Sequence, residues 1–176
     1  HHVKHFLGLK YANLVGIHDL NKDRAKEISE KFGIPFFNNI KNLINKVDAV
    51  SIVTPTETHA KIAEYCIERN KHVFIEKPIT KTIEEADKIL KLTKDRSIII
   101  QVGHIERLNP GIVALQKYNI KPKFIEIQRL APYTIRGTDV PVVLDKMIHD
   151  IDILLSIVNS KVKSIQASGL SILTDS

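Results

Sequence analysis

A carboxylate, an ammonium and a proline stand in a row at Glu76-Lys77-Pro78, directly behind the apolar run His72-Val73-Phe74-Ile75. A lysine placed beside a carboxylate at the end of a strand can hand over a proton or clamp the charge on a substrate oxygen. Taken alone, the tripeptide is equally an ordinary surface ion pair before a turn. A second set of reactive types is Asp145, His149 and Asp152, spaced so that one face of a helix carries all of them. A histidine oriented by a carboxylate is the usual construction of a general acid or base near neutral pH. A helix that simply shows these residues to solvent is the competing reading. The other histidines (1, 2, 5, 18, 59, 72 and 104) form no ligand-spaced pair with an acidic partner, so no metal site is expected.

Other polar residues fall where strands should end. Asp19 closes an apolar stretch at the position where dinucleotide-binding folds place an acidic group on a ribose hydroxyl. That position repels a 2′-phosphate and favours NAD over NADP; a simple turn aspartate is the alternative. Thr54-Pro55-Thr56 follows the next strand, and Thr54 can offer a hydroxyl to a cofactor. Thr56 and Thr58 can equally cap a helix, and His59 reads as a cap-region or surface residue. The dense polar run Gly103-His104-Ile105-Glu106-Arg107-Leu108-Asn109-Pro110 leaves the last apolar strand. Arg107 can hold a phosphate or carboxylate and Asn109 a sugar hydroxyl, unless the run is an interdomain hinge tied by salt bridges. Arg129, Tyr133, Arg136 and Asp139 are candidates for substrate specificity.

The elements that must position these groups alternate along the chain. Strands are expected at 14–17, 35–37, 49–53, 73–75 and 97–102, and helices at 2–9, 23–32, 40–45, 58–69 and 82–94. Gly33 should stop one helix in the C′ position, and Thr82 with Glu85 forms a capping box at the start of another. Strands apolar throughout and separated by helices imply parallel pairing with both faces covered, an α/β doubly wound Rossmann-like sheet. After Pro110 the pattern changes. Residues 124–130 and 162–173 alternate, as strands with one exposed face do, and a long apolar helix is expected over 142–158. This reads as an incomplete nucleotide-binding domain over residues 1–105, followed over 106–176 by the start of an α+β domain with a mainly antiparallel sheet. The first strand and the glycine-rich turn of a Rossmann fold are not found ahead of residue 2, so a fragment of a larger protein is expected.

Composition narrows the class. The 176 residues are 43% hydrophobic and 26% charged, a globular composition rather than a disordered one. No apolar stretch approaches the roughly 20 residues that cross a bilayer. The single cysteine, Cys66, lies on an apolar helical stripe and suits a reducing cytoplasm. The net charge of +6 comes from scattered lysines without interleaved aromatics, which argues against a nucleic-acid partner and suits an anionic small molecule.

The ordered set Thr54-Pro55, Glu76-Lys77-Pro78, Arg107-Leu108-Asn109-Pro110 and Asp145-x-x-x-His149 resembles the glucose–fructose oxidoreductase / inositol dehydrogenase (Gfo/Idh/MocA) family over essentially the whole chain. The resemblance implies a Rossmann domain that binds NAD(P), and a C-terminal domain whose open sheet carries substrate contacts and often an oligomer interface. It implies oxidation or reduction of a secondary alcohol on a sugar, cyclitol or nucleotide sugar. Lys77 matches the lysine that bonds the reacting hydroxyl, His149 the acid/base histidine, and Asp145 a carboxylate that binds substrate and orients the site. Asp19, Thr54, Pro55, His59 and Glu76 match cofactor-side positions, where Asn109 is also placed, while Arg107 and Arg136 are placed on the substrate side. The segments 103–110, 129–132 and 136–139 are further similar to family members that oxidise the 3-hydroxyl of UDP-N-acetylglucosamine on the way to amide-linked lipid A. Dehydrogenation of inositols or free sugars, a cofactor-binding regulator without chemistry, and non-redox chemistry with tightly held NAD are the alternatives.

Overall fold

The computed structural model describes residues 1–118, 120–130 and 140–170. Its centre is a three-stranded parallel sheet in the order β1 (Ala49–Ile52), β2 (His72–Ile75), β3 (Ile100–Val102). The register pairs Ile52 with Ile75 and Ile75 with Val102, so the carboxyl ends of all three strands lie level. Each strand is joined to the next by a helix, α4 (His59–Ile67) and then α5 (Ile83–Thr93), and a crossover of this kind is what parallel neighbours require.

The core sits between this sheet and those helices. Ile44, Ile52, Ala63, Cys66, Ile67, Val73, Ile75 and Ile89 are all at most 2% exposed and form one cluster. A fully buried aliphatic side chain contributes about 1.5–3 kcal/mol, so this cluster is the main source of cohesion. Burial also pushes the Cys66 thiol up to about 11, which leaves it an inert core residue.

The local signals behave as their chemistry requires. Asn21 caps α2 (Lys22–Phe32) by accepting from the Arg24 amide, and Gly33 ends it at φ 64°, where a side chain would be strained. Thr82 and Glu85 form the reciprocal capping box of α5. Two shorter helices, α1 (His2–Leu7) and α3 (Ile40–Ile44), complete this half.

Several expected strands are absent or reduced. Residues 14–17 and 35–37 meet only in one isolated parallel bridge, Ile17 to Phe36. Gly16 allows the approach, since a Cβ there would lie 2.6 Å from the Phe37 ring and 2.7 Å from the Pro35 carbonyl. Segments 124–130 and 162–170 alternate in sequence yet form no ladder among the described residues. Alternation decides which side chains share a face, but a strand exists only when a neighbour accepts and donates its backbone hydrogen bonds. Residues 171–173 of the second segment lie outside the described residues.

The chain leaves β3 through a 3₁₀ turn (Ile105–Leu108) into α6 (Pro110–Leu115). The helix expected over 142–158 is α7 (Ile148–Ile157) preceded by a π-helical turn (Val143–Met147). No helix among the described residues is long and apolar enough to cross a membrane.

Candidate active site

The level carboxyl ends of β1 and β2 open into a cleft of about 260 Å³ lined by Thr54, Pro55, His59, Glu76, Lys77 and Asp145, among others. Lys77 stands two residues beyond β2, next to Glu76. Its ammonium donates to the Asp145 carboxylate and to the Asp145 carbonyl oxygen, both at 2.8 Å. Lys146 approaches the other carboxylate oxygen at 3.0 Å. Partial burial would raise the Asp145 pKa, but hydrogen bonds from Lys77 and Lys146 outweigh it and hold the carboxyl below its ordinary value.

The loop ends are braced from beneath. His59 is 1% exposed, neither a surface nor a simple cap residue as expected, and its ring bridges two carbonyls. Nε2 lies 2.8 Å from the Thr54 oxygen and Nδ1 3.0 Å from the Pro78 oxygen. His59 thereby fixes the loop after β1 against the cis Lys77–Pro78 peptide. Thr54 accepts from the Thr58 hydroxyl at 2.7 Å and remains exposed at the rim.

His149 lies on the first turn of α7, half-buried, with no hydrogen-bond partner for its Nδ1 among the described residues. The expected Asp145–His149 couple does not form, because Asp145 is taken by the two lysines. Spacing of four places residues one above another on an α-helix, but the intervening π turn winds more residues per turn and breaks that alignment. Asp150 and Asp152 are likewise taken. The Arg129 fork donates to both Asp150 oxygens and the Arg107 fork to both Asp152 oxygens, every contact at 2.6 Å. Each guanidinium keeps its carboxyl below the usual carboxylate range. Burial lowers the His149 pKa below 6.5, reinforced by the positive charges of Lys77 and Arg129 and opposed by Glu106 and Asp150.

The remaining sequence candidates divide. Glu76 stands beside Lys77, accepts from His2 Nε2 at 2.9 Å and packs so closely on Gly103 that a Cβ there would lie 2.9 Å from its oxygen. Asp19 accepts the Asn21 amide at 2.9 Å, a turn role, with its carboxylate still 40% exposed. Asn109 is spent as the N-cap of α6, accepting from the Gly111 amide at 3.0 Å and donating to Glu106 at 3.3 Å. Arg107 is committed to its salt bridge with Asp152 rather than left as an open anion site. Arg136, Tyr133 and Asp139 lie outside the described residues. Sequence reading passed over Lys146, Asp150, His2 and Ser51, whose Oγ shares a 3.1 Å hydrogen bond with His2 Nδ1. Nothing in their spacing marks Asp150, His2 and Ser51, since each meets its partner only through the fold, while Lys146 pairs with its chain neighbour Asp145. No three His, Cys, Asp or Glu side chains gather as metal ligands among the described residues.

A parallel sheet with polar groups gathered at its carboxyl edge defines a nucleotide-binding α/β protein, and comparison with known proteins makes this specific. The family model described as "Oxidoreductase family, NAD-binding Rossmann fold" matches residues 1–104. The chain belongs to this Gfo/Idh/MocA family of oxidoreductases and carries its NAD-binding Rossmann fold. It is 37% identical to the UDP-N-acetylglucosamine 3-dehydrogenase of Acidithiobacillus ferrooxidans, over 99% of this chain and 57% of that enzyme. It is 28% identical to the myo-inositol 2-dehydrogenase of Thermotoga maritima, over 99% of this chain and 55% of the relative. The solved structure of the Acidithiobacillus enzyme superposes with a TM-score of 0.92 at 36% identity, covering 99% of this chain and 57% of that one. The chain thus spans little more than half the length of these curated relatives.

Proposed function

We propose that the whole protein oxidises a secondary alcohol of a nucleotide sugar with NAD, specifically the 3-hydroxyl of UDP-N-acetylglucosamine. The observation that carries this reading is the Lys77–Asp145 pair at 2.8 Å, set in the cleft at the carboxyl end of β2. The likeness to the Acidithiobacillus enzyme over 99% of the chain supports the choice of substrate.

The residues present fit a dinucleotide. Gly103, having no side chain, makes room for the Glu76 carboxylate at the strand ends, and Asp19 keeps an exposed carboxylate where a ribose would be read. Asp19, Thr54, Pro55 and Glu76 would hold the cofactor, with His59 as the brace beneath them. When bound, NAD supplies the hydride acceptor. Lys77, oriented by Asp145, donates a hydrogen bond to the reacting hydroxyl oxygen. As the carbon–hydrogen bond gives up its electron pair, the neutral His149 ring takes the hydroxyl proton and the oxygen becomes a carbonyl. A histidine whose pKa is held down by burial is in the proton-accepting form at neutral pH.

This reading places residues 1–105 as the cofactor domain and the chain from 106 as the start of a domain for substrate and assembly. It places the enzyme in the cytoplasm as a homo-oligomer and its product upstream of amide-linked lipid A. The test is NADH formation by the whole protein with UDP-sugars, free hexoses and inositols, each with NAD and with NADP. Turnover of UDP-N-acetylglucosamine with NAD is the expected result. Turnover confined to inositols or free sugars would keep the dehydrogenase and discard the nucleotide-sugar substrate. None on any alcohol would favour a regulator.

A further inference from the structure

Three carboxylates lie within four residues of His149, yet its buried Nδ1 bonds to none of them. Asp145 is held by Lys77 and Lys146, Asp150 by Arg129, and Asp152 by Arg107. Two of these are bidentate pairs, the strongest and most directional that carboxylates make. Asp150 is the immediate chain neighbour of His149, and its clamp comes from Arg129, in the segment outside the Rossmann sheet.

We propose that Arg129 is a positioning residue: by holding Asp150 it denies the His149 ring its adjacent carboxylate and keeps that ring free to accept the substrate's proton. This rests on His149 as the proton acceptor. The groups that act on His149 are Lys77 beyond β2, Glu106 in the 3₁₀ turn, Arg129, and Asp150 and Asp152 on α7. Of these, Lys77 and Arg129 disfavour the imidazolium, while Glu106 and Asp150 favour it. Removing Arg129 therefore acts twice in one direction: a cation is lost, and the nearby Asp150 charge is no longer neutralised. The proton affinity of His149 rises, and less of it is ready as a base at a given pH.

The experiment compares wild type, Arg129→Met, Asp150→Asn and the Arg129→Met/Asp150→Asn double variant as whole proteins. The His149 imidazole is titrated by NMR without substrate, assigned with His149→Gln, beside the pH dependence of kcat. For Arg129→Met the midpoint should move up by roughly half to one pH unit, a fraction of what a close opposite charge produces. The double variant should return most of the way to wild type. An unmoved NMR midpoint, or a shift that Asp150→Asn fails to reverse, overturns the proposal. So does a KM increase with an unmoved midpoint, which would make Arg129 a substrate contact. A moved NMR midpoint without a matching shift in kcat would uphold the clamp and instead remove His149 as the proton acceptor.

Discussion

The sheet half and the α7 half of this molecule are held together by different physics. Up to β3, cohesion comes from an apolar cluster in which Ile67, Ile75 and Ile89 are completely buried. Beyond Gly103, Asp152 is the one buried residue among those described, and its partner is the charged Arg107. The first half gains from area removed from water, which is non-directional and tolerant of small shifts. The second is fastened by short, directional charge pairs: Lys77–Asp145 across the join, and Arg107–Asp152 and Arg129–Asp150 within the second half. Directional pairs fix orientation, which a proton-transfer site needs, and they make that orientation sensitive to charge. The groups proposed to do chemistry lie on or beside the join.

Changes on either side should therefore separate. The largest effect is expected for Lys77→Ala. Turnover should fall by about 100- to 10,000-fold, the usual worth of a positioned proton-handling group, with NAD affinity little changed. Steady-state kinetics beside cofactor titration would show this, and near-normal turnover would remove Lys77 from the mechanism. Ile75→Ala, one residue from Glu76 but wholly buried, should instead destabilise the fold by about 2–5 kcal/mol in urea unfolding. Thr82→Ala, which deletes the capping box of α5 far from the join, should cost only about 1 kcal/mol and leave turnover intact.

Acid should also distinguish the halves. The folded-state pKa values of Asp145, Asp150 and Asp152 are all depressed below 3.8. Their stabilising contribution is complete above that ordinary value and is lost as the pH falls through the lower folded ones. The ordinary value of His149 lies above those of the carboxylates and burial lowers it, so activity should fall on its acid limb while the ion pairs are still charged. A pH profile of kcat beside circular dichroism over the same range should show activity lost while the fold persists. Simultaneous loss would mean that unfolding, not His149, sets the limb.

Much of the sheet half was legible in the sequence because its signals are local. Apolar runs, the Gly33 stop and the Thr82–Glu85 box each act within a few residues. The Lys77 and Asp145 positions were legible as motifs, but their mutual contact was not, because it joins residues 68 apart in the chain. Asp145 and His149 were misjudged as a couple because the spacing rule assumes α-helical winding, and the π turn departs from it. For Arg107 the choice between ligand and salt bridge stayed open in the sequence, and the partners of Arg107 and Asn109 were not legible there, because a side chain able to bind a ligand is equally able to satisfy a partner in its own chain. The alternating segments 124–130 and 162–170 show the same limit, since pairing depends on a neighbour that no local pattern names.

Amide hydrogen exchange on the whole protein, with wild type beside Asp152→Asn, would separate the two modes of attachment. Loss of a charge-assisted bidentate pair should speed exchange over α7 by about tenfold or more, while β2 and α5 stay as protected as before. Equal acceleration over β2 and α7, or none over α7, would mean that this charge pair does not hold α7, and with it His149, to the turn that leaves β3.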